Sequence, residues 1–196
     1  MNVYDFDGTI YDGDSSVDFF LYCLRRDPRL IRYLWKQGIG ILSHILGRTG
    51  EESMKEYFFS FLKSVDDIEA EVAGFWDKHR KKIKKYYLEQ QEEEDVIISA
   101  SPDFLLCDIC RRLQVQFLIA TRMDGRKGKI DGKNCKGEEK VRRFTQVFGE
   151  RKIDQFYSDS TADLPMVRIS KKAYFVKGKK VVEWKRWGED GKEGTL

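Results

Sequence analysis

Two strand signals set far apart constrain this chain most. NVYDFD at residues 2–7 reads as a short strand stopped by Gly8, and the next such run is DVIIS at 95–99. Between them, from about Asp14 to Gln91, apolar residues recur at spacings of three and four: Phe19, Phe20 and Leu24; Tyr57, Phe58, Phe61 and Leu62; Val72, Phe75 and Trp76. That period is helical. After DVIIS the pattern alternates. A helix is predicted through Phe104–Leu113, with Pro102 at its start, then a strand at VQFLIAT (115–121) and a glycine-rich hairpin at RMDGRKGKIDGKN (122–134). A helix over 137–149, a strand up to Tyr157 and late strands at AYFV (173–176) and VVEW (181–184) complete it. Strand–helix alternation of this kind builds an α/β sheet core. The expected division is a core from 1–13 and 92–196, with a helical cap, 14–91, inserted after the first strand. A chain of 196 residues suffices for one core with such an insertion.

The same first strand carries the chemistry. Alternation sends Asp5 and Asp7 to one side and Tyr4 and Phe6 to the other. Both acids sit at the carboxyl end, the edge of an open α/β sheet where ligands bind. Two ionised carboxylates this close raise each other's pKa unless a cation lies between them. Oxygen ligands favour Mg²⁺, which takes one or two carboxylates together with substrate phosphate. Other strand ends carry matching groups. VIISASP ends at Ser99 and small Ala100, offering a hydroxyl and main-chain amides for an anion at a helix start. FYSDSTADLP brings Asp159 and Asp163, and CKGEEKVRR places Lys140 early in a helix as a point charge for phosphate.

DFDGT, IISASP, GEEK and YSDSTADLP, in this order, resemble the four motifs of the haloacid dehalogenase superfamily. The arrangement is similar to its subfamily IB, which includes phosphoserine phosphatase and the phosphatidylglycerophosphatase C type. The motifs run from residue 5 to 163, nearly the whole chain. The resemblance implies a Rossmann-like three-layer core and a Mg²⁺-dependent phosphatase. It implies Asp5 as the nucleophile that forms an aspartyl-phosphate, and Asp7 as acid to the leaving group and base to water. Asp5, the main-chain carbonyl of Asp7 and Asp159 would hold Mg²⁺, with Asp163 behind them. Thr9, Ser99 and Ala100 would bind phosphoryl oxygens, and Lys140 would balance the negative charge. Dehalogenating members release halide, need no proton donor and lack the second aspartate. Asp7 therefore points to phosphate esters.

Several positions keep two readings. Phosphoserine phosphatases carry a Glu where this chain has the shorter Asp14, and no paired arginine is evident in the inserted block. Asp14 either meets substrate at the hinge or N-caps the first helix (DSSVDFF). Ser101 could cap a helix beside Ser99, while Lys133 and Lys136 rival Lys140. Cys107 and Cys110 form a C-x-x-C inside an apolar helical pattern and read as core thiols; His44 and His79 have no supporting ligand pattern. The same motifs would also serve a phosphotransferase or mutase, or a non-catalytic phosphate-binding module.

Net charge is +3 from 36 basic and 33 acidic residues, which gives no general argument for nucleic acid as a partner. The expected partner is a small phosphate ester; oligomeric state is not encoded. No basic, apolar leader precedes the first strand, and four cysteines suit a reducing compartment, so the expectation is cytoplasmic. LIRYLWKQGIGILSHILG (30–47) is interrupted by Arg32 and Lys36 and is too short to span a bilayer. It reads first as an apolar cap helix packed within the insertion. The alternative is an amphipathic surface anchor making peripheral membrane contact. Separately, the aromatic and apolar load of the cap, with the basic KHRKKIKK segment (78–85), leaves room for a lipid-phosphate substrate.

Overall fold

The computed structural model describes residues 1–184; whether the tail after Trp187 is ordered lies outside them. The chain opens with β1 (Asn2–Tyr4) and then leaves the sheet for five helices: α1 (Ser15–Arg26), α2 (Leu34–Ile45), α3 (Glu51–Phe58), α4 (Ile68–His79) and α5 (Lys85–Gln90). It returns as β2 (Val96–Pro102), α6 (Asp103–Arg112) and β3 (Phe117–Thr121). A small hairpin, β4 (Met123–Asp124) and β5 (Lys129–Ile130), precedes α7 (Glu138–Phe148), β6 (Ile153–Ser158), α8 (Leu164–Arg168), β7 (Ser170–Lys177) and β8 (Lys180–Glu183).

The main sheet runs β3-β2-β1-β6-β7-β8. All its pairings are parallel except β7 with β8. Connections leave β1 toward β2 and then cross back to β6 on its other side. The switch point of this doubly wound sheet therefore lies between β1 and β6, where ligands bind beyond the strand ends.

Strand alternation divides the core in two. Val3, Val96, Ile98 and Phe156 join Phe144 of α7 and Met166 of α8 on one face. Tyr4, Ile97 and Tyr157 join Leu105 and Ile109 of α6 and the inserted helices on the other. Helices thus cover both faces, giving the expected three layers. On the second face Tyr4, Tyr157 and Tyr174 stack across three strands at 4.6 and 4.8 Å. Gln90 at the end of α5 donates to the Tyr4 hydroxyl at 3.0 Å.

Phenylalanines 19, 20, 58, 59, 61 and 75 form a ring cluster inside the insertion. Trp76 joins it to the core. It is fully buried, meets Phe6 edge-on at 5.9 Å and donates its indole N–H to the Leu105 carbonyl at 2.7 Å. A buried indole needs that acceptor.

Four expectations need correction. β1 stops at Tyr4, not residue 7, because the main chain turns at once: the Phe6 carbonyl accepts from the N–H groups of Thr9, Ile10 and Tyr11. β2 continues past Ser99 to Pro102, because the Ser101 N–H turns to the Ser99 hydroxyl at 3.0 Å and the chain stays extended across a register shift. Cys107 is exposed, so of the C-x-x-C pair only Cys110 is a core thiol. The apolar arc of α2 faces outward, with Trp35 at 61% and Ile45 at 73% exposure, rather than packing within the insertion.

Candidate active site

Four carboxylates from two strand ends gather at the switch point, and two of them share one lysine. Asp5 follows β1, and its N–H still pairs with the Tyr157 carbonyl at 2.9 Å, so the sheet fixes its main chain. Lys140, in the first turn of α7, is 2% exposed and extends its ammonium to Asp5 Oδ1 at 2.9 Å and Asp163 Oδ2 at 2.7 Å. Ser158, the last residue of β6, donates its hydroxyl to the same Asp163 oxygen at 2.8 Å. Lys136 instead pairs with Glu51 on the surface at 2.6 Å. Of the three lysines considered from sequence, Lys140 is the one that reaches Asp5.

Burial pushes the Asp5 carboxyl up to about 7; Lys140 opposes this, while Asp163 and Asp7 reinforce it. Burial works against the Lys140 ammonium, but Asp5 and Asp163 outweigh it and hold its pKa above the usual lysine range. One ammonium for two buried carboxylates leaves negative charge in excess, and Asp7 and Asp159 add to it.

Asp7 points to a different set of partners. Its Oδ1 accepts the Ser15 N–H at 2.7 Å, at the first residue of α1, and its Oδ2 accepts the Ser101 hydroxyl. Burial and the Asp14 charge raise Asp7 to about 6, against the lowering effect of Ser101 and Ser15. Asp14 itself accepts the Val17 N–H at 3.0 Å as N-cap of α1. Thr9 is fully buried, and its hydroxyl has no hydrogen-bond partner among the described residues. Ser99 is buried and spends its oxygen on the Ser101 N–H; the Ala100 carbonyl accepts from Lys55 and Thr121.

Asp159 approaches from the end of β6. Gly8 has φ +68°, and a Cβ built there would lie 1.8 Å from Asp159 Oδ2. The missing side chain is what lets this carboxylate lie against the main chain beyond Asp7. Lys84 donates to the Gly8 carbonyl from the start of α5. Among the described residues no three His, Cys, Asp or Glu side chains are grouped to hold a metal. A Mg²⁺ site here would draw on two carboxylates and a carbonyl, a donor set of the kind that ion accepts when phosphate completes it. The surplus of buried negative charge fits a cation in that place.

Three participants were missed from sequence. Ser101 was read as a helix cap and is instead bonded to Asp7. Lys84 lies in the basic segment 78–85, whose sequence gives no sign of its contact with the Gly8 carbonyl. Lys55, half-buried on α3, donates to the Ala100 carbonyl and to Asn134 Oδ1, each at 2.7 Å. Burial pushes its pKa down to about 8, with Glu51, Asp14 and Asp7 opposing. Only tertiary packing brings this lysine to the end of β2; its spacing from Tyr57 and Phe58 carries no such signal.

This strand order, with acidic residues after β1 and β6 and a buried lysine between them, defines a doubly wound α/β fold whose charged groups gather at the switch point. The chain belongs to the haloacid dehalogenase-like hydrolases, whose family pattern matches residues 3–168. It is 30% identical over 191 residues to protein CicA of Caulobacter vibrioides, a match covering 85% of this chain and 81% of that one. A protein of unknown function from Bordetella pertussis Tohama I shares the fold with a TM-score of 0.70 at 24% identity, over 88% of this chain and 87% of the other. A phosphoserine phosphohydrolase-like protein from Francisella tularensis does so with a TM-score of 0.57 at 15% identity, over 88% and 86%.

Proposed function

We propose that the chain hydrolyses phosphomonoesters through an aspartyl-phosphate on Asp5. The supporting observation is the pairing of a buried Asp5–Lys140 contact with a separately held Asp7, whose raised pKa of about 6 keeps a proton available near neutrality. The Asp5 carboxylate attacks phosphorus, and the ester P–O bond breaks. Asp7 gives its proton to the departing alkoxide. As a carboxylate, Asp7 then takes a proton from water; the resulting hydroxide displaces Asp5 from phosphorus and releases phosphate. Splitting hydrolysis in two suits a carboxylate nucleophile. Lys140 holds Asp5 in place and offsets charge on the transferring group.

Asp5, Asp159 and the Asp7 carbonyl are the groups that would hold Mg²⁺, with Asp163 fixed behind them by Lys140 and Ser158. When bound, the ion supplies positive charge to the phosphoryl oxygens. The unpartnered Thr9 hydroxyl and the Ser99 hydroxyl proton are side-chain donors for those oxygens, beside the main chain at Ala100. The inserted helices act as a cap that excludes water: α1 bonds Asp7 and α3 sends Lys55 across to β2.

The test is phosphate release from a panel of phosphomonoesters with Mg²⁺, repeated with Asp5→Asn. Activity confined to the wild type supports the reading, and turnover that survives Asp5→Asn overturns it. Added acceptor alcohols would reveal phosphoryl transfer as a new phosphoester product.

A further inference from the structure

Helix α2 is inside out. Around its axis Leu34, Trp35, Ile39, Ile41, Leu42 and Ile45 share one continuous arc, and every one of them is exposed. The residues it buries are Gln37 and Gly40. Gln37 donates to the Phe58 carbonyl at 3.1 Å, and Gly40 lets the helix close onto α3: a Cβ there would lie 2.6 Å from that of Tyr57. A water-facing helix buries its apolar stripe and exposes its polar one. Here the polar and small residues grip the protein, and the apolar arc, with Ile31 from the preceding turn and Leu46 after it, is left outside. A contiguous exposed apolar patch on this scale marks an interaction surface.

Charge indicates the occupant. Arg32 precedes the arc, Lys36 flanks it and Arg48 follows it, and none of the three has a carboxylate partner among the described residues. Lys36 lies along aromatic rings, its Nζ 5.4 Å from the Tyr33 centroid and 5.7 Å from that of Trp35. An apolar arc with a tryptophan, bounded by lysine and arginine, has the make-up of a helix that lies in a lipid interface. A twofold contact between copies of this patch would set its cations against one another, whereas an anionic bilayer complements them. Length excludes spanning. Twelve residues reach about 18 Å, against about 30 Å of hydrocarbon, and no helix among the described residues is long and apolar enough to cross.

We infer that α2 is a membrane-docking element that seats the protein on anionic lipid, with its exposed arc in the interface and Arg32, Lys36 and Arg48 at the headgroups. This does not depend on the proposed reaction. Since α2 packs on α3, which carries Lys55, the docked surface is one helix away from the site.

The test is co-sedimentation of the full chain with phosphatidylcholine vesicles, with and without phosphatidylglycerol, read beside tryptophan emission. Binding is expected to the anionic vesicles, with a blue shift that Trp35→Phe abolishes and with weakening as salt rises. The pair Trp35→Ser and Ile45→Ser, both at exposed positions, should weaken binding about tenfold or more while circular dichroism stays unchanged. Arg32→Glu with Lys36→Glu should remove the preference for anionic lipid. Binding that ignores all four substitutions overturns the inference. So does failure to bind the anionic vesicles; a lipid-independent dimer that Trp35→Ser dissociates would then assign the patch to a second copy.

Discussion

Ser15 donates its main-chain N–H to Asp7 Oδ1 at 2.7 Å, tying the proposed proton donor to the first residue of the inserted helices. The other Asp7 oxygen is held by Ser101 at the end of β2. Asp7 therefore has its acidity set by two elements that the chain brings together from either side of the insertion. Both bonds favour the carboxylate, while burial and Asp14 favour the acid and prevail.

Removing one donor should move that balance. Ser101→Ala is expected to raise the Asp7 pKa above its value of about 6. The protonated acid then persists to higher pH, so the alkaline limb of kcat/KM shifts upward by about half to one pH unit. A pH–rate profile checks this; a limb that stays put or moves down would show that Asp7 is not the group titrating.

Asp7→Asn separates proton donation from positioning. An ester with a poor alkoxide leaving group should lose roughly 10²–10⁴ in kcat, and one with an acidic phenol leaving group far less. Equal losses for both substrates would contradict the assignment of Asp7 as acid.

The Lys140 ammonium is the counter-charge to Asp5 and Asp163. Lys140→Met leaves two buried carboxylates unpaired, which should cost about 3–5 kcal/mol at pH 8. Without the ammonium, the folded-state pKa of Asp5 rises further, so the variant takes up protons on folding. Its stability accordingly falls as pH rises, and the penalty should be smaller at pH 5 than at pH 8. Urea denaturation at the two values decides it. An equal loss at both would point to packing, not charge.

The sheet edge was legible because its signals are local. DFDGT at a strand end and Asp159 and Asp163 after another place acids at one edge once the α/β alternation is read. Lys140 was legible for a similar reason, as a cation just inside a helix that follows Gly137. Lys55, Lys84 and Ser101 were not legible, because their partners come from tertiary contacts with Ala100, Gly8 and Asp7 that no spacing encodes. The orientation of α2 failed differently. Its period announces a helix, but which side faces inward was decided by Gly40 fitting under Tyr57, a contact made across a loop.

Gly8 offers a test of the Asp159 approach. Gly8→Ala adds a Cβ where Asp159 Oδ2 lies and strains a φ of +68°. Activity and any stabilisation by Mg²⁺ should both fall sharply. Combining it with Asp159→Ala relieves the clash, so the double variant should be more stable than the sum of the single effects predicts, in a thermal-denaturation cycle. Strict additivity would mean that the two residues are not in contact.

Asp95 lies away from the site and gives a prediction free of catalysis. It is 1% exposed; its Oδ2 accepts the Glu92 N–H at 2.9 Å and its Oδ1 has no partner among the described residues. Burial raises its pKa from 3.8 to about 6, with the Glu92 N–H, the Asn2 side chain and the amino-terminal charge opposing. Between those values the folded chain binds a proton that the unfolded chain has released, so stability falls as pH rises from about 4 to 6 and stays reduced above. Asp95→Asn keeps an acceptor for Glu92 and removes the charge. It should therefore stabilise the protein by about 1–3 kcal/mol at pH 7.5 and change little at pH 4, measured by urea denaturation. A variant less stable than wild type at pH 7.5 would show that the Asp95 carboxylate is favourable where it sits.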